Sequence, residues 1–302
     1  MIGRLRAKLR DMTAKFGVNA LQSSGLYNGY WQLWRGPLFE YAERKGLHIL
    51  PVHYYTPIPN DSDTSRRRPT RLAGIQLDIA GGAQRARELL SRYQEGIARL
   101  LSGANGFNPN NAGFHPLDAA LLYASVREAK PKRVIEIGSG MSSFAIDAAI
   151  RDGSLETRFS CIEPFLPDYL RNDAIKAEII EKPLQDVPLA KFQELESGDI
   201  LFIDSTHVVR FDSDVVYEIL EIMPTLAPGV ILHVHDIFLP DDYPEAWLRT
   251  FRFFWNEQYM LQAFLSMNPN FRIEIPVHAI KDQLDFVSSS DVEPASFWMR
   301  RT

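Results

Sequence analysis

Residues 133–143 read RVIEIGSGMSS, and the fold turns on how they are read. Arg133 to Ile137 is a short apolar run of strand length, Gly138-Ser139-Gly140 is a tight turn, and MSSFAIDAAI, from Met141, has the composition of a helix. A strand, a glycine turn and a helix N-terminus in succession bring backbone N–H groups to the edge of a ligand site.

Working outward, the segment PLDAALLYASVREAK, from Pro116, starts a helix with proline at its favoured first position. Downstream, the apolar runs RFSCI, AEII, DILFI, GVILHVH, FRIEIP and ASFWM recur between helical or turn-rich segments such as SDVVYEILEIMPTL. Continuous apolar runs bounded by turns suit strands covered on both faces, and their alternation with helices indicates right-handed β-α-β units. The expected fold is α/β, a doubly wound, Rossmann-like sheet.

Residues 1–110 have a different texture. YYTPIPNDSDTSRRRPT reads as a loop, AQRARELLSRYQEGIARLLS as a helix burying Leu89, Leu90, Tyr93, Ile97, Leu100 and Leu101, and GANGFNPNNAGF as a linker. The expected organisation is a helical and loop cap over 1–110 and a cofactor-binding domain over 111–302. MIGRLRAKLRDMTAKF, at the N-terminus, puts Ile2, Leu5, Leu9, Met12 and Phe16 on one helical face, a stripe suited to docking on protein and, with its basic residues, to lying on an anionic membrane.

Composition narrows the class. The 302 residues are 45% hydrophobic and 24% charged with a net charge of −5, an ordinary globular balance without the basic excess of a nucleic-acid binder. The single cysteine, Cys161, cannot form an internal disulfide, no apolar run reaches membrane-span length, and a cytoplasmic location is expected.

Two cofactors use a strand–glycine–helix unit. As a dinucleotide fingerprint, GSGMSS places Ser143 where a third glycine permits close helix–strand packing. Glu136 lies inside the strand, where a buried carboxylate needs a partner. S-adenosylmethionine offers an ammonium and a sulfonium, whereas NAD offers no cation near its pyrophosphate. A nearby arginine or backbone N–H groups would serve Glu136 as well. Glu163, ending the second strand in RFSCIEP, suits ribose hydroxyls, and Gln185 and Asp186 suit an adenine amino group.

VIEIGSGMSS, CIEPF, LQDVP, DILFIDSTH and GVILHVHDIFLP together resemble the class I S-adenosylmethionine-dependent methyltransferases, in particular a bacterial group associated with polysaccharide and natural-product genes. The resemblance covers roughly 111–302 and reaches back to LHILPVHYYTPIPN. It implies seven strands with an antiparallel last one, which ASFWMRRT fits. It further implies that Glu136, Gly138 and Gly140, with Ser139 in the same turn, meet the methionine part of the cofactor, that Glu163 holds the ribose, and that Gln185 and Asp186 hold the adenine. The rivals are an NAD- or nucleotide-dependent oxidoreductase and a non-catalytic module on the same scaffold.

The acceptor side would lie at the carboxyl ends of the fourth and fifth strands. These carry Asp204, Ser205, Thr206 and His207, and His233, His235 and Asp236, with 233 and 235 on one face and 236 on the other. Three readings stay open. His207 or His235 is a general base; Asp204, also a candidate cofactor contact, binds a divalent metal with Asp236; or the histidines are buried and hydrogen-bonded and Asp204 caps a turn. In metal-dependent relatives an asparagine follows the second aspartate, and here Ile237 stands there. Asn256, Glu257 and Gln258, embedded among aromatics, cannot all line one pocket. His53 and the basic run Arg66-Arg67-Arg68 with Arg71 are candidate acceptor contacts. The expected acceptor is a small molecule or sugar, met at an oxygen, and a homo-oligomer is compatible with the sequence.

Overall fold

The computed structural model describes residues 12–20, 37–50, 52–65, 71–288, 290 and 292–302. Two compact units make up the chain, Met1–Arg66 and Arg67–Thr302. The boundary falls at 66/67 rather than 110/111, because the helices expected to belong to a cap pack on the sheet of the second unit.

In the first unit the described residues form a helix over 12–20, a helix Pro37–Arg44 and one helical turn, Asp61–Thr64, inside the expected loop. The Asn60 side chain accepts from Ser62 and Asp63 N–H, and the Asp63 carboxylate accepts from Asn60 N–H, a reciprocal cap that makes so short a turn viable. Residues 1–11 of the expected amphipathic helix and the run Arg66–Arg68 lie outside the described residues. His53 sits among Tyr54 and Tyr55, ring centroids 4.1 and 5.4 Å away.

The second unit is built on a seven-stranded sheet in the order β3-β2-β1-β4-β5-β7-β6. The strands are β1 Arg133–Ile137, β2 Arg158–Ile162, β3 Glu178–Ile180, β4 Ile200–Ile203, β5 Ile231–Val234, β6 Phe271–Pro276 and β7 Phe297–Arg301. The first five run parallel, and β7 pairs antiparallel with both β5 and β6. The doubly wound, Rossmann-like fold with an antiparallel last strand is therefore present, each strand coinciding with an apolar run.

Strand alternation sorts the core into two layers. Val134, Phe159, Cys161, Phe202 and Trp298 face helices α1 Ile79–Arg92, α2 Gln94–Leu101, α3 Pro116–Ala129 and α4 Met141–Gly153. Ile135, Ile137, Leu201, Ile203, Leu232 and Met299 face the helical stretch from Asp214 to Thr225 and helix α5, Glu257–Leu265. The single helix expected over 83–102 is two, broken at Tyr93 (φ −111°, ψ 17°), whose hydroxyl donates to Glu128. Residues 116–126 of α3 are all buried, and Asp118 among them accepts from Ala295 and Ser296 N–H at 3.0 and 3.1 Å, fixing the entry of β7. Among the described residues no helix is long and apolar enough to cross a membrane.

Candidate active site

The parallel strands present their carboxyl ends together. Gly138 N–H donates to Ile162 O, Asp204 N–H to Ile137 O and His235 N–H to Ile203 O, so the turns after β1, β4 and β5 sit side by side. Gly138 has φ +78°, and a Cβ there would stand 1.7 Å from Asp204 O; only glycine lets the two turns touch. At Gly140 a Cβ would meet nothing nearer than the Tyr169 hydroxyl at 3.7 Å, so the N-terminus of α4 opens onto free space of the kind a ligand fills.

Glu136 faces α4, as Val134 does, and is fully buried. Its oxygens accept from Ser142 Oγ and Ser143 Oγ, both at 2.6 Å, and from Cys161 Sγ at 3.1 Å. The protein groups that partner it are thus hydroxyls from the first turn of the next helix and a thiol from the neighbouring strand, rather than an arginine. Burial raises its pKa to about 7 against the pull of these donors. The same contact explains Ser143 in place of a third glycine: it is small enough for the packing and supplies a donor to Glu136.

Glu163 lies at the end of β2, its carboxylate accepting from Ser139 N–H at 3.3 Å and Phe165 N–H at 2.8 Å, which aims it at the glycine turn. Gln185 and Asp186 occupy a 3-10 turn, Leu184–Asp186. The Gln185 amide donates to Asp212 O at 2.6 Å, while Asp186 is exposed.

Beyond β4 and β5 the polar residues converge on His207. Its Nε2 lies 3.2 Å from Asp204 Oδ1 and 3.5 Å from Asp236 Oδ2, and its Nδ1 lies 2.8 Å from Glu257 Oε2. His235 Nε2 is 3.6 Å from Asp236 Oδ1. The expectation that Asp236 points away from His235 fails because Asp236 has φ +55°, which breaks strand alternation and turns its carboxylate back. His207 is left-handed too, at φ +59°. Burial would lower its pKa, but Asp204 and Glu257 hold it well above the usual value. Burial raises Asp236 to about 6 despite the His235 and His207 imidazoles. Burial would also raise Asp204, yet His235 and His207 bring it below its ordinary value. His233, with both ring nitrogens unpartnered and its pKa driven well down by burial, packs against Phe202 and Trp298.

Of the three residues at the start of α5, only Glu257 reaches the cluster. Asn256 Oδ1 accepts from Val209 N–H at 2.5 Å, and Gln258 Oε1 from Phe238 N–H at 2.6 Å, so both hold neighbouring loops. One member escaped the sequence reading: Glu218, fully buried, accepts from Ser205 Oγ at 3.2 Å, and burial raises its pKa well above the usual value. An acid among the apolar residues of VVYEILEIM was its signal.

Asp204, His207 and Asp236 each offer one donor atom, all within 4.8 Å of one another. Cis ligands about 2.1 Å from an octahedral cation stand roughly 3.0 Å apart, close to the 3.2 and 3.5 Å found here. The O,O,N set suits a hard or borderline divalent ion such as Mg²⁺ or Mn²⁺. Ile237 is buried in the apolar layer, so the donor atom found beside Asp204 and Asp236 is that of His207 and not one from the residue after Asp236.

Residues 135–237 match the model of a family described as a methyltransferase domain. An uncharacterized protein of Archaeoglobus fulgidus is 32% identical over 173 residues, which are 51% of this chain and 77% of that protein. Among solved structures, the SAH-bound methyltransferase PaMTH1 of Podospora anserina is 19% identical, with a TM-score of 0.41 over 84% of this chain and 98% of that one. An O-methyltransferase of Bacillus cereus in complex with SAH is 12% identical, with a TM-score of 0.39 over 73% and 99% of the two chains. The methyltransferase-domain match takes in the turn after β1, the end of β2 and the clustered ends of β4 and β5, so residues 135–237 of the chain are a methyltransferase domain.

Proposed function

We propose that the protein transfers the methyl group of S-adenosylmethionine to an oxygen of a small molecule, at a divalent-cation site made by Asp204, His207 and Asp236. The observation that carries this reading is the convergence of three donor atoms within 4.8 Å, beside the glycine turn. The N-terminus of α4 and Glu163 would hold the methionine and ribose parts, with Gln185 and Asp186 at the adenine. Glu136 acts one step back, bonding the two serines that begin α4.

In the reaction the acceptor oxygen forms a bond to the methyl carbon, the carbon–sulfur bond breaks, and S-adenosylhomocysteine and one proton leave. A bound cation would lower the acceptor hydroxyl's pKa and fix its position. Asp204 and Asp236 supply the charge that retains such a cation, Glu257 orients the His207 ring through Nδ1, and the turns after β1 and β4 align acceptor and sulfonium. Binding would replace the proton that His207 otherwise holds between Asp204 and Asp236.

A metal-free route, with His207 as general base, draws support from the Glu257 contact, an orienting carboxylate behind an imidazole. Its weakness is that Asp204 and Glu257 favour the protonated form of His207. Calorimetric titration with S-adenosylhomocysteine, beside NAD, tests the cofactor. Methyl transfer to a panel of hydroxylated small molecules, with and without EDTA, then separates the routes. Micromolar S-adenosylhomocysteine binding and EDTA-sensitive transfer restored by Mg²⁺ or Mn²⁺ are expected. EDTA-resistant transfer would select the base, and NAD binding alone would remove the methyl-transfer reading.

A further inference from the structure

We infer that the acceptor carries a flat aromatic ring, seated along a wall formed by Phe251, Phe253 and Trp255 that ends on His207. The inference rests on the methyl-transfer reading above and specifies its substrate class.

Local backbone builds the wall. The π-helical turn Trp247–Phe251 stops at Arg252, which is left-handed (φ +59°), and the chain then runs without helical bonding to the start of α5. Phe251 and Phe253 stack with ring centroids 5.7 Å apart and 26° between planes, and Phe253 and Trp255 at 5.1 Å and 5°. Trp255 then lies 4.3 Å from the His207 imidazole at 37°. Trp247 backs the wall edge-on, 4.8 Å from Trp255 and 6.1 Å from Phe253. The inner end is fixed to the reactive loop, since Asn256 and Glu257 N–H both donate to His207 O, at 3.0 and 3.2 Å.

Exposure gives the wall a direction. Phe251 and Phe253 are 57% and 41% exposed, whereas Trp255 is half-buried and His207 buried. Stacked rings left partly in water and leading inward to a cluster of carboxylates and imidazole suit a ligand with an aromatic body and a hydroxyl tip. A sugar ring would need hydrogen-bonding groups set between the rings. The ring contacts of Phe251, Phe253 and Trp255 are instead with one another, with Trp247 and with His207.

The test uses the full-length protein loaded with S-adenosylhomocysteine and MgCl₂, titrated calorimetrically with 2,3-dihydroxynaphthalene, cis-1,2-cyclohexanediol and methyl α-glucoside. The naphthalene diol should bind in the micromolar range and the two non-aromatic probes at least tenfold more weakly. Phe253→Ala and Trp255→Ala should each weaken the naphthalene diol at least tenfold, with S-adenosylhomocysteine affinity within twofold of wild type. Trp255→Phe should retain most of the binding. Equal binding of the cyclohexanediol, preferential binding of the glucoside, or naphthalene binding indifferent to both alanine variants would overturn the inference while leaving methyl transfer standing. Failure of the wild type to bind S-adenosylhomocysteine would instead remove the methyl-transfer reading, and this inference with it.

Discussion

Gly138 and Gly140, two positions apart in one turn, should respond oppositely to a methyl group. Gly138 has φ +78° and no room for a Cβ, which would strike Asp204 O at 1.7 Å. Gly138→Ala should therefore damage the fold, by about 1–3 kcal/mol for the strained backbone alone and more for the clash, read as a lower denaturant midpoint. Gly140 has φ −163° and open space, so Gly140→Ala should keep the wild-type midpoint. If α4 opens onto the cofactor, its S-adenosylhomocysteine affinity should still fall tenfold or more; unchanged affinity would place the methionine part elsewhere. Glu136 makes a separate prediction. Its pKa rises from the ordinary 4.5 to about 7 on burial, so the folded state binds more protons than the unfolded state between those values. Stability should then decline as pH rises through that window, by at most about 3 kcal/mol, each pH unit between the two values being worth about 1.4 kcal/mol. Glu136→Gln should flatten that decline in urea melts taken from pH 4.5 to 7.5, and an unchanged slope would assign it to other groups. The carboxylate itself was legible in the sequence as a buried charge needing a partner. Its partners were not, because Ser142 and Ser143 become its neighbours only when α4 folds back over β1.

At the scale of elements, the strands were legible because both faces of the sheet are covered, and double coverage forces continuous apolar runs such as ILFI in β4. The turns at the strand ends were less legible. Period-two reasoning holds to Val234 and fails at Asp236, where a left-handed residue returns the carboxylate to His207. No propensity separates that aspartate from one that continues the strand. Helix α5 shows a similar limit: its opening Asn256-Glu257-Gln258 looks like one polar patch, yet each side chain serves a different loop. Glu257 is the one whose loss should be felt in chemistry. It is buried at 1% side-chain exposure against His207, and removing one member of a buried charged pair costs about 3–5 kcal/mol. Glu257→Ala should lower stability by about that amount. Glu257→Gln keeps the shape and a hydrogen-bonding group, and should lose less stability. In both, kcat should fall at least tenfold with S-adenosylhomocysteine affinity unchanged, since the cofactor turn lies on α4. Equal kcat in Glu257→Gln and wild type would reduce Glu257 to a structural support.

Across the whole molecule, the proposed site is made by parts far apart in sequence: β1 and α4 where the cofactor would sit, β4 and β5 for the carboxylates, α5 for the acid against His207. Parallel topology brings these ends to one edge of the sheet, which is why a site of this kind could be anticipated from strand order before any distance was known. Asp204, Asp236 and Glu257 surround one imidazole there, with Glu218 bonded to Ser205 alongside. Gathering acids in low dielectric opposes folding unless cations answer them, and His207 and His235 can answer with at most one charge each. A divalent ion bound by the folded state alone should therefore raise thermal stability by mass action, about 2.7 kcal/mol at one hundred times its dissociation constant. For a domain of this size that corresponds to a rise of roughly 5–10 °C in Tm. Protein stripped with EDTA and then titrated with MnCl₂ or MgCl₂ should show this rise by scanning calorimetry, larger for manganese because His207 contributes a nitrogen ligand. Asp204→Asn, which removes one donor's charge and leaves the His207–Glu257 contact in place, should abolish most of the metal-dependent rise. If the stripped protein melts at the same temperature with and without either ion, Asp204 and Asp236 are balancing the His207 proton instead, and catalysis must proceed through the imidazole.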